Sequence, residues 1–295
     1  MSSHGILILT LLLTTIAQDQ GPRRPPITGF SHVTFYTTSP DEARHFYLEL
    51  LGLELADQPG NYLVGHQRVA ALAETPPEPP SFLAHIAFAT SDVEGMRRYL
   101  QSRGVVVPKT VATEPGGARW FEVKDPEGNR IRFEQTSAPH KPQPRAISTQ
   151  IIHAGFLVHD RAAEDKFYRE ILGFKPYWFG GMNEGHIDWV ALQVPEGRQW
   201  IEYMLVDKGS EVTPSRLGVL NHFSLGVGDM NVAESLLQKR GWTPTTGSRK
   251  QMGKDGKWQL NVYDPNGTRV ELMEFTPKEK PCCSEFTAPH PQEVK

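Results

Sequence analysis

Cysteine is nearly absent. Among 295 residues only Cys282 and Cys283 are cysteines, both close to the C-terminus, so no disulfide framework is expected to hold the fold. Neighbouring cysteines rarely close a relaxed disulfide, and the pair reads as two thiols on a solvated segment. No cysteine falls where a domain would place a nucleophile. The chain also lacks a G-x-S-x-G elbow, a P-loop and a G-x-G-x-x-G turn, which removes the usual motifs of Ser hydrolases, P-loop nucleotide binding and dinucleotide binding. Excess charge of either sign is missing as well. Thirty-one Lys and Arg stand against 34 Asp and Glu, for a net charge of −3, and no nucleic-acid-binding surface is indicated. Long apolar runs are confined to the N-terminus. There "ILILTLLLTTIAQDQ" carries an apolar stretch from Ile6 to Ile16, too short to span a bilayer but of signal-peptide length. Residues 1–20 are therefore expected to be a signal peptide. The mature protein would be secreted or periplasmic, with no membrane association after cleavage.

What remains is a globular composition, 38% apolar and 22% charged, long enough for about two domains at roughly 100–200 residues each. Internal repeats organise it. "FYLELLGLE" from Phe46 returns as "FYREILGFK" from Phe167, an offset of 121 that also relates His32 to His153. "HIAFATSDVEGMRRYLQSRG" from His85 matches "HFSLGVGDMNVAESLLQKRG" from His222, and "DPEGNRIRFEQ" from Asp125 matches "DPNGTRVELME" from Asp264. Four modules result. Each opens on a β-rich strand ("HVTFYT", "HIAFAT", "HAGFLV", "HFSLGV"). An acidic residue then lies near a helix start (Asp41, Asp92, Asp160, Asp229), and a glycine near its end (Gly52, Gly104, Gly173, Gly241). More strands follow, with "DPEG" and "DPNG" marking turns. The reading is α+β, four βαβββ units in two halves, 29–136 and 151–276. A Pro-rich linker is expected at 137–150 and a disordered tail at 277–295.

Within the second half, His153 to Glu202 and His222 to Glu271 are both 49 residues apart. Each module thus sets one His on its first strand and one Glu on its last. Glu271, in "NGTRVELMEF", lies among apolar neighbours, where a carboxylate needs a partner or a cation. Two imidazoles and two carboxylates converging about a pseudo-twofold axis would form a cage for a divalent first-row metal. The first half keeps His32 and His85 but not the glutamates. Arg132 stands where Glu271 does, and Ala70 or Ala71 where Glu202 does, so that half is expected to be metal-free.

The strand-initial histidines, the "FYREILGF" helix end and "DPNGTRVEL" together resemble the vicinal oxygen chelate superfamily. That superfamily includes glyoxalase I, extradiol dioxygenases, fosfomycin-resistance proteins, methylmalonyl-CoA epimerase and bleomycin-binding proteins. The resemblance covers residues 29 to 276. It implies U-shaped, mostly antiparallel sheets, each built from two modules, with a metal in the concave face. The ligands it implies are His153, Glu202, His222 and Glu271, and the metal Ni, Zn, Co, Mn or Fe. Two His with two Glu resemble the bacterial glyoxalase I pattern. An extradiol dioxygenase triad would use His153, His222 and Glu271, without a carboxylate at 202. The implied chemistry is that of a glyoxalase-like lyase or isomerase. A small oxygenated substrate would be chelated through neighbouring oxygens, with Glu202 or Glu271 as the base. An Fe(II) ring-cleaving dioxygenase and a non-catalytic drug-binding protein are the alternatives. Met204 and Met273 read as ordinary packing, Arg198 and Arg216 as solvated surface. The chain would act as a monomer or homodimer on a small molecule.

Overall fold

The computed structural model describes residues 21–56, 58–76, 82–135, 145–183, 185–245 and 247–293. The expected signal peptide lies outside them, as does most of the expected linker. No helix among the described residues is long and apolar enough to cross a membrane.

Two eight-stranded sheets carry the fold. The first contains β1 (Ile27–Tyr36), β2 (Glu54–Leu55), β3 (Asn61–Val64), β4 (Gln67–Leu72), β5 (Leu83–Thr90), β6 (Ala112–Thr113), β7 (Arg119–Lys124) and β8 (Arg130–Gln135), in the order 2-3-4-1-5-8-7-6. The second contains β9 (Ile151–Val158), β10 (Lys175–Gly180), β11 (Trp189–Gln193), β12 (Trp200–Leu205), β13 (His222–Val227), β14 (Gln251–Met252), β15 (Trp258–Tyr263) and β16 (Arg269–Glu274), in the order 10-11-12-9-13-16-15-14. Each half-sheet is one βαβββ module whose first strand pairs in parallel with its own last strand. The two first strands of a domain meet antiparallel at the centre. Both joins fall within one half of the chain, so modules pair with their sequence neighbours, and the α+β expectation holds.

The helices follow their sequence signals. Asp92, Asp160 and Asp229 cap α2 (Val93–Ser102), α3 (Arg161–Asp165) and α5 (Met230–Lys239), each accepting a hydrogen bond from a backbone N–H of the first turn. In the first module Ser39 holds the cap position and Asp41 lies inside α1 (Pro40–His45). Both α1 and α3 end in one π-helical turn over the repeated aromatic segment, burying Phe46 and Tyr47, and Phe167 and Tyr168. Gly52, Gly104, Gly173 and Gly241 then reverse the chain at positive φ. One further helix, α4 (Pro214–Leu220), bridges the third and fourth modules.

Two sequence expectations are corrected at the C-terminus. The segment read as a disordered tail runs along β10, the outer strand of the second sheet. Phe179 N–H donates to Ser284 Oγ at 2.9 Å, and Thr287 N–H donates to Tyr177 O at 3.1 Å. An edge strand with unpaired backbone groups is a docking surface, and Phe286 adds an apolar anchor against Tyr177 and Trp178. Cys282 and Cys283 are joined as a disulfide rather than left as thiols. Cys283 has φ 71°.

Candidate metal centre

The register of four adjacent strands builds the site. Glu202 on β12 lies opposite Gly155 on β9, which lies opposite His222 on β13. One step along, His153 on β9 lies opposite Ser224 on β13, which lies opposite Glu271 on β16. Two parallel rows result, each with a ligand-type side chain at both ends and a small residue between. The small residue matters because the outer side chains must lean over it. A Cβ at Gly155 would collide with the His222 ring.

The four predicted residues come together. His153 Nε2 lies 3.1 Å from His222 Nε2 and 3.1 Å from Glu271 Oε2. Glu202 Oε2 is 3.4 Å from His222 Nε2 and 4.0 Å from His153 Nε2. One donor atom each from His153, Glu202 and His222 falls within 4.8 Å of the others, and Glu271 adjoins this group through His153. Both histidines are fully buried.

Protonation in the site suits cation binding. His222 Nδ1 donates to Leu220 O at 2.9 Å, which turns a lone pair at Nε2 toward the site. Burial, then the charge of Arg269, lowers the His222 pKa to about 4. Burial works to raise Glu271, but the His153 hydrogen bond and the Arg269 charge outweigh it and hold the carboxyl at about 2. Glu202 is likewise held down: burial opposes, and the close approach of His222 and the charge of His153 prevail. A neutral imidazole beside two ionised carboxylates is the state in which such groups ligate a metal. Two ring nitrogens and two carboxylates in contact form a donor set that fits a divalent first-row ion. Arg269 adds positive charge beside the cluster, its Nη2 donating to His222 Nε2 at 2.7 Å.

A cavity of about 270 Å³ opens on this cluster. Glu202, Glu271, Arg269 and Asp255 give it a polar end; Tyr177, Trp178, Trp189, Trp200 and Phe286 give it aromatic walls. Met273 also lines it, whereas Met204 is buried packing. Arg198 and Arg216 are exposed and outside the lining.

Residues 29–133 match a family model described as the Glyoxalase/Bleomycin resistance protein/Dioxygenase superfamily, and residues 152–260 match a second model of the same description. The chain belongs to this superfamily. Among curated proteins it is similar to a manganese-dependent 2,3-dihydroxybiphenyl 1,2-dioxygenase of Geobacillus genomosp. 3, 24% identical over 276 residues, covering 84% of this chain and 85% of the relative. Among solved structures it shares its fold with homoprotocatechuate 2,3-dioxygenase from Brevibacterium fuscum, with TM-score 0.64, 17% identity, and coverage of 85% of this chain and 72% of the other. It also shares the fold of the Mn(II)-bound glyoxalase from Novosphingobium aromaticivorans, with TM-score 0.61, 19% identity, and coverage of 85% and 83%.

The first domain of this superfamily member repeats the scaffold without the ligands. Ala70 lies opposite Thr34, which lies opposite His85; Arg132 lies opposite Ala87, which lies opposite His32. Ala70 therefore takes the Glu202 position and Arg132 the Glu271 position. Protein charges fill the centre instead. Glu134 is fully buried, with His32 Nδ1 at 3.0 Å and Arg68 Nη2 at 3.2 Å. Arg132 stacks 3.7 Å from the centre of the Trp120 ring. With two guanidinium groups and no carboxylate at either ligand position, this face does not fit a metal.

Sequence reasoning missed three residues around the second site. Arg269 could have been found, because it lies two positions before Glu271 and so shares its strand face. Lys257 and Phe286 carried no such signal. Lys257 is fully buried, its Nζ 4.5 Å from the centre of Trp200, 5.1 Å from Phe286 and 5.7 Å from Tyr177. Among the described residues its Nζ has no hydrogen-bond partner. Burial lowers its pKa to about 8, against the nearby charges of Asp255 and Glu271.

Proposed function

We propose that the second domain is a metal-dependent lyase or isomerase of the glyoxalase kind, acting on a small molecule that presents two neighbouring oxygens. His153, Glu202, His222 and Glu271 would hold the metal. The observation that carries the reading is Glu202, a carboxylate 3.4 Å from His222 Nε2, where a two-His, one-carboxylate triad would have none. When bound, a divalent cation supplies Lewis acidity that lowers the cost of an enediolate next to a carbonyl.

The chain's own residues would do the rest. Glu202 has the more accessible of the two carboxylates, 14% exposed against 5% for Glu271, and we assign it the proton transfer. Glu271, hydrogen-bonded to His153, would stay a ligand. Arg269 would stabilise negative charge developing on substrate oxygens at the polar end of the cavity. The aromatic walls would exclude water. We also propose that the protein works outside the cytosol, on the strength of the apolar run Ile6 to Ile16.

A ring-cleaving dioxygenase is the second reading. It is favoured by the curated relative, which matches across both domains. Elemental mass spectrometry on wild type, His222→Ala and Glu202→Ala separates the two. The lyase or isomerase reading expects roughly one divalent ion per wild-type chain, lost in His222→Ala and weakened in Glu202→Ala. Iron held fully by Glu202→Ala, with anaerobically reconstituted protein cleaving catechols once oxygen is admitted, would install the dioxygenase reading. No metal in reconstituted wild type would remove both.

A further inference from the structure

The C-terminal segment contributes Phe286 to the wall of the cavity that opens on the metal cluster. It is fixed to the second domain at both ends of Phe286. On one side, Trp178 Nε1 donates to Cys282 O at 3.3 Å, and Ser284 Oγ donates to Phe179 O at 3.0 Å. On the other side, Gln193 Nε2 donates to Pro289 O at 2.9 Å, and His290 Nδ1 lies 2.5 Å from Tyr177 OH. Between these anchors Phe286 lines the cavity, 4.9 Å from the Tyr177 ring and 6.4 Å from the Trp178 ring. It also faces the Lys257 ammonium at 5.1 Å. Without Phe286, one of the three rings around that buried ammonium would be missing.

Polar and aromatic groups thus line one small space. Glu202, Glu271 and Arg269 form the end that takes oxygens. Tyr177, Trp178 and Phe286 form an end that takes a flat apolar surface, since aromatic rings pack best against other rings, edge on or offset. We infer that residues 282–290 are a substrate-binding strap, and that Phe286 makes the site select ligands bearing a flat ring beside their chelating oxygens. This rests on the metal-chelating reading of the same site.

Two hydroxamates test it, because they share one chelating head and differ only in the body attached. Benzohydroxamate carries a phenyl ring, acetohydroxamate a methyl group. Calorimetry on the zinc-loaded full chain is expected to show wild type preferring benzohydroxamate at least about ten-fold. Phe286→Ala should cut that preference roughly five-fold, with zinc content and acetohydroxamate affinity unchanged, and Phe286→Tyr should restore it. Should Phe286→Ala fail to fold, Phe286→Leu keeps the apolar bulk and removes only the ring. An unchanged preference in these variants would overturn the inference, as would equal weakening of both ligands, since Phe286 would then support the metal cluster rather than a ring. Zinc retained by wild type with both hydroxamates bound alike overturns the strap inference alone. Zinc not retained overturns the chelating reading beneath it.

Discussion

The imidazole of His222 occupies the space that a side chain at Gly155 would need. Gly155 is the midpoint of the row from Glu202 to His222, so one missing methyl group lets two strands aim these side chains at one point. The expected result of Gly155→Ala is a folded protein with a broken site. Overpacking of this kind costs about 1–3 kcal/mol, and the displaced imidazole should weaken metal binding about 10–100-fold. Melting temperature and metal titration measured together check this. A Gly155→Ala protein that holds metal like wild type would show that His222 is not a ligand.

The first domain carries a protein-made substitute for a metal, and it should respond to acid. Burial opposes ionisation of Glu134, but the hydrogen bond with His32 and then the charges of His32 and Arg68 hold its carboxyl at about 2. A depressed acid stabilises the fold above its unfolded value and loses that contribution as pH falls through the folded value. Stability should therefore decline from the ordinary carboxylate range down toward pH 2. Arg68→Met leaves a buried carboxylate short of a partner and should cost about 2–3 kcal/mol. The double variant Arg68→Met/Glu134→Gln should recover more than half of that loss. Urea denaturation at neutral pH and at low pH supplies the cycle. With Glu134→Gln measured alone as well, a double-variant loss equal to the sum of the two single losses would mean the pair contributes nothing as a pair.

Glu164 predicts the opposite slope. It is fully buried where α3 meets the Asp125–Asn129 turn of the other domain, and its Oε1 accepts from Glu127 N–H at 2.9 Å. Burial, then the neighbouring charge of Asp125, pushes its carboxyl well above the usual range. At neutral pH the folded chain then keeps a proton that the unfolded chain has released. Stability must fall as pH rises between about 5 and 9. Glu164→Gln keeps the Oε1 acceptor and removes the ionisation, so it should flatten that slope and stabilise the protein by about 1–2 kcal/mol at the alkaline end. Denaturation midpoints across this range decide it, and parallel curves for the two proteins would refute the assignment.

Much of the site was legible because strands obey a period of two and the modules repeat. The 49-residue spacing from His to Glu in both modules of the second half survives as matched register, His153 and Glu271 on either side of Ser224, Glu202 and His222 on either side of Gly155. Arg132 in the Glu271 position was legible for the same reason. The choice between Ala70 and Ala71 was not, since only the pairing of Thr34 with Ala70 fixes which face is used. Phe286 was invisible because it acts across more than a hundred residues, as one aromatic in a segment otherwise rich in proline and charge. The composition gave solvation, and an unpaired sheet edge overrode it. Lys257 was invisible because its partners are ring faces distant in the sequence, and cation–π contact leaves no spacing in the sequence.

Lys257 supplies the last prediction. Its ammonium is buried without a hydrogen bond, within electrostatic reach of Asp255, Glu271 and Glu202. Two effects follow from one charge. It offsets the carboxylates while the site holds no cation, and it opposes a dication when one arrives. Lys257→Met keeps the length and apolar stem of the side chain, so packing against Trp200, Tyr177 and Phe286 should persist. The ion-free protein should keep or gain stability, because burial costs the ammonium more than the nearby carboxylates return. The loaded protein should bind its metal several-fold more tightly, because the repulsion is gone. The signature is therefore a melting temperature without metal no lower than that of wild type, and a larger rise on adding it. Thermal denaturation with and without saturating Zn or Mn measures both quantities. Equal destabilisation of both states would mean that Lys257 acts through packing alone, and that its charge has no part in holding the site.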